Sequence, residues 1–184
     1  MIDLTVITTT IPERALMLAE LAAALDVQTD RPDWLIEVDE DGDGPVPHLN
    51  RLAERVDTEW LFRLDDDDLV DPDHFAILAD YLTDDHDVVY TWPRIVPSTD
   101  DLSEDGLQIV MPLPTLEGRN FIASAAAVRA SMWREIGGLR DVAEEDHDFW
   151  IRAWRAGARF RCVPRVTWTY RLGDWPHRSE STDE

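Results

Sequence analysis

Apolar and polar positions change period several times along this chain, and each change marks an element. Near the N-terminus, "DLTVITTT" is a short β-rich run that ends in three threonines. "IPERALMLAELAAALDVQ" then puts Leu16, Leu18, Leu21 and Leu25 on a broad apolar helical face, with Pro12 at an early helical position and Glu13 in the first turn. "DWLIEVD" reads as a second strand broken by "EDGDGPVP", and "HLNRLAERVD" as a short helix with Leu49, Leu52 and Val56 about one turn apart. A third strand, "TEWLFRLD", runs directly into four consecutive aspartates, residues 65–68. Asp71 and Pro72 read as N-cap and first residue of the helix "PDHFAILADYLTD", and "DVVYTWPRIV" as a fourth strand. Around Pro97, Pro112 and Pro114 the pattern weakens into a mobile excursion holding one short strand, "LQIVM". Beyond it come a small-residue run "ASAAAVRA", a helix "SMWREIG" stopped by Gly137 and Gly138, and a helix "EEDHDFWIRAWRAG" ended by Gly157. Two strands, "RFRCVP" and "VTWTYRL", and a polar tail complete the chain.

Strands alternating with helices at this spacing predict an α/β domain: a Rossmann-like, mostly parallel sheet flanked by helices and joined by right-handed crossovers. Ligands of such sheets gather beyond the C-terminal strand ends, where "TTT", "VDEDGDG" and "LDDDD" all fall. At 184 residues with 44% apolar content, one domain with a sizeable core is expected.

Composition narrows the chemistry. All 17 basic residues are arginines, which excludes a lysine-bearing phosphate loop, a pyridoxal Schiff base and a lysine nucleophile. Cys162 is the only cysteine, so no internal disulfide or zinc–thiolate cluster is available, and inside "RFRCVP" it reads as a buried strand residue. No run of about 18 apolar residues and no signal-peptide pattern occurs, so a soluble cytoplasmic protein is expected. The net charge of −22 is uneven: residues 1–118 hold 6 arginines against 29 acidic residues, whereas 119–178 hold 11 arginines against 7. The first part would repel an anionic ligand unless a cation intervened, and the second could face something negative.

Two acidic motifs are candidate sites. "DEDGDG", beginning at Asp39, opens like a calcium loop but then meets Pro45, Pro47 and Asn50 where ligands are required, so a polar turn at the strand ends fits better. The D-x-D within residues 65–67 can hold a hard divalent cation, Mn²⁺ or Mg²⁺, and so convert a repulsive edge into a diphosphate site; the alternative is an acidic, solvated turn. A D-x-D-x-V phosphatase pattern is also present, on the third strand and without the supporting lysine. Asp146, at the first turn of the helix after the Gly-Gly stop, is favoured in its ionised form by the helix dipole and can accept a proton, although ordinary first-turn capping gives the same spacing. Trp133, Trp150, Trp154 and Trp168 read as core, and Trp175 in "GDWPHR" as the better candidate for a ligand contact.

The order of these motifs, from the "TTT" loop through "VDEDGDG" and "LDDDDLVDP" to "GGLRDVAEEDHDFWIRAWRAG" and "YRLGDWPHRS", resembles family-2 inverting glycosyltransferases of the GT-A fold over nearly the whole chain. The resemblance implies metal-dependent transfer, with inversion, of a sugar from a nucleotide-diphosphate sugar to an acceptor hydroxyl. It implies a single GT-A-like domain over residues 1–178, with 1–92 as the nucleotide-sugar half, 119–178 as the acceptor and catalytic-base half, and 179–184 as a tail. Thr8, Thr9, Thr10 and Asp39 would bind nucleotide, with Asp39 reaching the base, and Asp65, Asp66 and Asp67 would form the D-x-D segment that binds the donor, with Asp66 near the ribose. Asp67 would hold Mn²⁺ or Mg²⁺ on the diphosphate, Asp146 would be the base, and His177 and Arg178 would close over the diphosphate or assist the metal. Asn50 matches the helix asparagine of the family, but only His48 offers a basic group before it, which shifts nucleotide affinity toward Arg14, Arg63 or C-terminal arginines. The acceptor is left open among a saccharide, a lipid-linked sugar, a protein and modified DNA, and the chain's shortness for the family suggests completion by a partner subunit or second copy. Two other functions remain at this point: a nucleotidyltransferase on a related sheet, and a non-enzymatic acidic protein that mimics DNA.

Overall fold

The computed structural model describes residues 2–96 and 112–172. Its elements are β1 (Leu4–Thr10), α1 (Ala15–Asp26), β2 (Asp33–Val38), α2 (Pro45–Glu54), β3 (Trp60–Arg63), β4 (Leu69–Val70), α3 (His74–Ala79), β5 (Val88–Val96), β6 (Ala126–Arg129), α4 (Ala130–Glu135), α5 (Glu145–Arg155) and β7 (Phe160–Arg171). Short 3-10 turns, Pro12–Arg14 and Leu113–Glu117, precede α1 and β6. The seven strands form one sheet in the order β2-β1-β3-β6-β5-β7-β4. β1 pairs in parallel with β2 and β3, and β5 with β7, while β6 is antiparallel to both β3 and β5, and β4 to β7. Five strands therefore run one way, and β4 and β6 the other.

Side chains along the central strands alternate between two cores, one on each sheet face, as the two-residue period of a strand requires. Ile7, Leu61, Val88, Tyr90, Ala126 and Val128 meet the apolar stripes of α2, α4 and α5, including Leu49, Leu52, Trp133, Phe149 and Trp150. Val6, Trp60, Phe62, Val89 and Ala127 point the other way, to Leu21 and Leu25 of α1, Phe75 and Leu78 of α3, and Trp168. Trp133, Trp150 and Trp168 are buried, and Trp154 packs against the first core, as their helical and strand spacing predicts. Trp150 also donates its indole N–H to the Ile122 carbonyl at 2.9 Å, so the ring carries no unpaired donor into the interior.

Several elements differ from the pattern-based expectation, each for a physical reason. The small-residue run holds β6, a four-residue strand wedged between β3 and β5, where alanines allow close packing on both faces. "RFRCVP" and "VTWTYRL" are one strand, β7. Its register against β5 shifts between Thr91 and Trp92, where Pro164 and Arg165 are absorbed, and a proline without an N–H is accommodated at such a bulge. Cys162 lies on β7 and is only partly buried. Helix α3 is six residues long and begins at His74, not Pro72. Asp71 does not cap it: its carboxylate faces Arg94 at 3.5 Å, and its carbonyl accepts from the His74 amide at 3.0 Å. The expected strand "LQIVM" lies outside the described residues. Among the described residues no helix is long and apolar enough to cross a membrane.

The stop after α4 has a specific cause. Gly138 has φ +67°, and a Cβ there would fall 2.4 Å from Oδ1 of Asn50. Asn50 accepts from the Leu139 amide and donates to the Leu139 carbonyl, both at 2.9 Å, which fastens α2 to the turn that leads toward α5.

Candidate functional site

The parallel ladders bring three polar loops to one sheet edge. Thr10 of β1 is opposite Val38 of β2, and the Asp39 amide donates to the Thr10 carbonyl at 2.8 Å. Ile7 is opposite Arg63 of β3, and the Leu64 amide extends that ladder to Ile7 at 3.1 Å. Asp39 and the aspartate run thus flank the end of β1. The Asp39 carboxylate is buried and accepts from the amides of Gly42, Asp43 and Gly44 at 2.5, 3.2 and 3.0 Å. Burial raises its pKa, but the amides of Gly42, Gly44 and Asp43 outweigh that and leave it below the ordinary aspartate value. His48, also buried, lies 3.0 Å from Glu37 and 3.4 Å from Asp39, so the first turns of α2 support the same loop. Thr8 is fully buried and accepts from the Trp34 indole at 3.0 Å.

The four aspartates turn to four different environments. Asp65 accepts from Arg63 Nε at 3.0 Å and from the Ser124 hydroxyl at 3.3 Å. Asp66, buried, accepts from the Thr10 hydroxyl at 2.6 Å and from Arg14 at 2.7 Å. Asp67 faces the same Arg14 at 3.4 Å. Asp68 is fully buried; one oxygen accepts from the Arg171 amide at 3.1 Å and the other has no hydrogen-bond partner. Burial and then the charges of Asp65 and Asp67 raise the Asp68 pKa well above its ordinary value, and burial together with Asp65 and Asp66 raises that of Asp67. The run is held by pairing and burial as a turn, not as one exposed acidic patch.

Opposite it, a cavity of about 700 Å³ is lined by Asp65, Arg63, Ser124, Asn120, Asp146 and Tyr170, among others. Asp146 lies in the first turn of α5; its Oδ1 accepts from the His147 amide at 2.7 Å and its Oδ2 from the Asn120 side chain at 3.1 Å. Burial raises its pKa against the opposing influence of Arg63, so it is a stronger base than a solvated aspartate. Arg63 joins the two acidic regions, binding Asp65 on one side and Glu145 on the other at 2.8 Å. Those carboxylates hold the buried guanidinium firmly in its charged form despite desolvation.

A mixed α/β sheet with a D-x-D turn at the end of β3 and a carboxylate at the start of α5 has a counterpart in sequence: the family model for glycosyl transferase family 2 matches residues 19–135. The chain belongs to this family. In structure it is similar to GT-A glycosyltransferases. The TarS 1–349 fragment of S. aureus in complex with UDP-GlcNAc has TM-score 0.78 and 13% identity, over 95% of this chain and 60% of that one. The same fragment with UDP gives 0.75 and 14%, over 92% and 60%. The mannosyltransferase PcManGT of Pyrobaculum calidifontis, in complex with GDP-Man and Mn²⁺, gives 0.67 and 16%, over 90% and 56%. At these identities the likeness concerns the fold, and the chain spans about 60% of the length of these structures. No curated protein matches the chain in sequence.

Against this family background, Thr10, Arg14, Asp39, Asp65, Asp66 and Asp67 gather at one edge, and Asp146 shares a cavity wall with Asp65. Thr8 shares that edge, but its hydroxyl faces Trp34, and the Asn50 amide faces Leu139. Thr9 lies on β1 between Thr8 and Thr10. His177, Arg178 and Trp175 lie outside the described residues. Pattern reasoning did not find Asn120 and Ser124 as parts of the site: no local signal marks them, since each arrives from a connector remote in sequence; Tyr170 opens the "YRLGDWPHRS" segment but was not singled out as a site residue.

Among the described residues no three His, Cys, Asp or Glu side chains come together to encircle a cation. A hard cation shared with ligand phosphates needs only one or two protein carboxylates. Asp67 fits that role: its carboxylate is crowded by Asp65 and Asp66, and an unpartnered Asp68 oxygen lies in the same turn.

Proposed function

We propose that this chain is a metal-dependent, inverting glycosyltransferase that moves a sugar from a nucleotide-diphosphate sugar to an acceptor hydroxyl. One observation carries the reading: Asp146 and the D-x-D carboxylate Asp65 line a single cavity, and Arg63 in the same wall pairs with Asp65 and with Glu145, the neighbour of Asp146. The complexes of the structural neighbours with UDP-GlcNAc and with GDP-Man and Mn²⁺ support a nucleotide-sugar donor. A cytoplasmic location fits the single cysteine and the lack of a membrane-length apolar helix among the described residues.

In this mechanism Asp39 and the edge of β1 seat the nucleotide, and Asp66 lies toward the ribose. Asp67 would hold Mn²⁺ or Mg²⁺, which when bound supplies positive charge to the diphosphate. Asp146 removes the proton from the acceptor hydroxyl; that oxygen bonds to the anomeric carbon as the bond to the diphosphate oxygen breaks, and the nucleoside diphosphate departs from the opposite face. Asn120 and the His147 amide orient the base, leaving each carboxylate oxygen with a lone pair for this proton. Burial of Asp146 serves the step because it raises the proton affinity of the carboxylate.

The test is a calorimetric titration with UDP and GDP, with and without Mn²⁺, followed by a nucleotide-sugar screen with mass analysis of the products. Metal-promoted binding and release of a nucleoside diphosphate are expected. Absence of metal-dependent nucleotide binding, or release of pyrophosphate from a nucleoside triphosphate, would reject the reading.

A further inference from the structure

The arginines of the last third of the chain do not form a free basic face, because most are bound to acids or carbonyls. Arg129 binds Glu59, Arg155 binds Glu117, Arg159 binds Asp87 and Arg171 binds Glu20, while Arg134 is bonded to the Val56 carbonyl. These contacts occupy the guanidinium groups and leave little for a polyanion. Around the 700 Å³ cavity the same holds for Arg63, engaged by Asp65 and Glu145, and for His147, engaged by Glu144 and the Leu116 carbonyl. Arg119 differs: it lines this cavity, it is exposed, and its guanidinium has no partner among the described residues. It is anchored through its backbone, whose amide donates to the Thr115 carbonyl at 3.0 Å. Its neighbour Asn120 holds Asp146, so the free guanidinium belongs to the segment that orients the proposed base.

From this placement we infer that the acceptor carries an anionic oxyanion group, a phosphate or a carboxylate, and that Arg119 binds it. The inference rests on the transferase reading and names the substrate class of that site. A guanidinium matches both groups in a bidentate fork, and it is weakly hydrated enough to exchange water for them. The rest of the cavity wall explains why one arginine is decisive. Asp65, Glu144, Glu145 and Asp146 would repel an anion, and the other basic side chains in the wall, Arg63 and His147, are already engaged by carboxylates. An acceptor anion is therefore drawn to the Arg119 end, which fixes the orientation of its hydroxyl relative to Asp146.

The experiment titrates the full chain, saturated with Mn²⁺ and UDP or GDP, with glucose, glucose 6-phosphate and glucuronate, for the parent and for Arg119→Gln. The parent should bind at least one of the anionic sugars roughly tenfold more tightly than glucose, as one charge-assisted contact supplies. In Arg119→Gln that advantage should fall to within about twofold. An advantage confined to glucose 6-phosphate identifies a phosphate, and one confined to glucuronate a carboxylate. No preference for either anion, or a preference retained in Arg119→Gln, overturns the inference. So does a variant that weakens nucleotide binding instead, because Arg119 would then serve the donor diphosphate. If no nucleotide binds the parent, the transferase reading fails by itself, and the same sugar titration on the nucleotide-free chain still decides the anion preference at Arg119. Because this side chain is exposed and unbonded, an unchanged thermal midpoint shows that the variant is folded.

Discussion

The turn at residues 65–68 and the start of α5 carry similar numbers of carboxylates but handle them in opposite ways. In the turn each carboxylate meets its own partner set, with Arg14 shared by two of them: Arg63 and Ser124 for Asp65, Thr10 and Arg14 for Asp66, Arg14 at longer range for Asp67, and the Arg171 amide for Asp68. At α5, Glu144 and Glu145 are drawn off by His147 and Arg63, and Asp146 is left facing the cavity with two orienting hydrogen bonds. Crowding suits a site that awaits a cation, whereas isolation and burial suit a base that takes a proton. Local acidity therefore does not define function; the disposition of each oxygen does.

The strongest test of this contrast removes the isolated carboxylate. Asp146→Asn keeps the size and the Asn120 neighbour, and is expected to lower kcat by about 10²- to 10⁴-fold while the nucleotide Kd changes little. In the parent, kcat should rise with pH through the raised Asp146 pKa, since only the deprotonated form accepts a proton; the variant should lack that limb. A variant that loses nucleotide affinity and retains turnover would place Asp146 on the wrong side of the comparison.

Arg63 links the two regions, so Arg63→Met tests whether they depend on one another. It strands Asp65 and Glu145 without their shared cation, and chemical denaturation should show a loss of about 3 kcal/mol. A smaller effect follows within the turn. Asp66→Ala leaves the Thr10 hydroxyl without its buried acceptor and shifts Arg14, at about 2 kcal/mol. Asp67→Ala should leave stability nearly unchanged and abolish only the effect of Mn²⁺ on nucleotide binding. Equal destabilisation by these two variants would show that the aspartates share one role.

The smallest change is expected at Asp68. Its folded pKa is raised, so its favourable contribution is complete below the unfolded aspartate value and is lost as pH rises through the folded value. Asp68→Asn should therefore match the parent in acid and exceed it at higher pH, by on the order of 1 kcal/mol, in paired denaturation series. Equal pH dependence in the two proteins would mean that Asp68 is charged and satisfied.

Much of the fold was legible because its signals are local. Leu49 and Leu52 mark α2 by their spacing, and the apolar run at residues 60–62 marks β3. β6 was hidden because four small residues carry no strong period; what makes them a strand is the presence of β3 and β5 on either side. The Asp71 cap was misjudged because Arg94, 23 residues away, competes for that carboxylate. The same division holds at the site. The amino-acid order fixed a Rossmann-like class, the candidate loops at the strand ends and an acid at a helix start, all consequences of chain geometry over a few residues. Only the tertiary structure decided that Asn50 clamps Leu139, that Asp68 is interior, and that Asn120 and Ser124 reach Asp146 and Asp65. A side chain's partner is set by which backbones the sheet brings side by side, and that depends on contacts tens of residues apart in the chain.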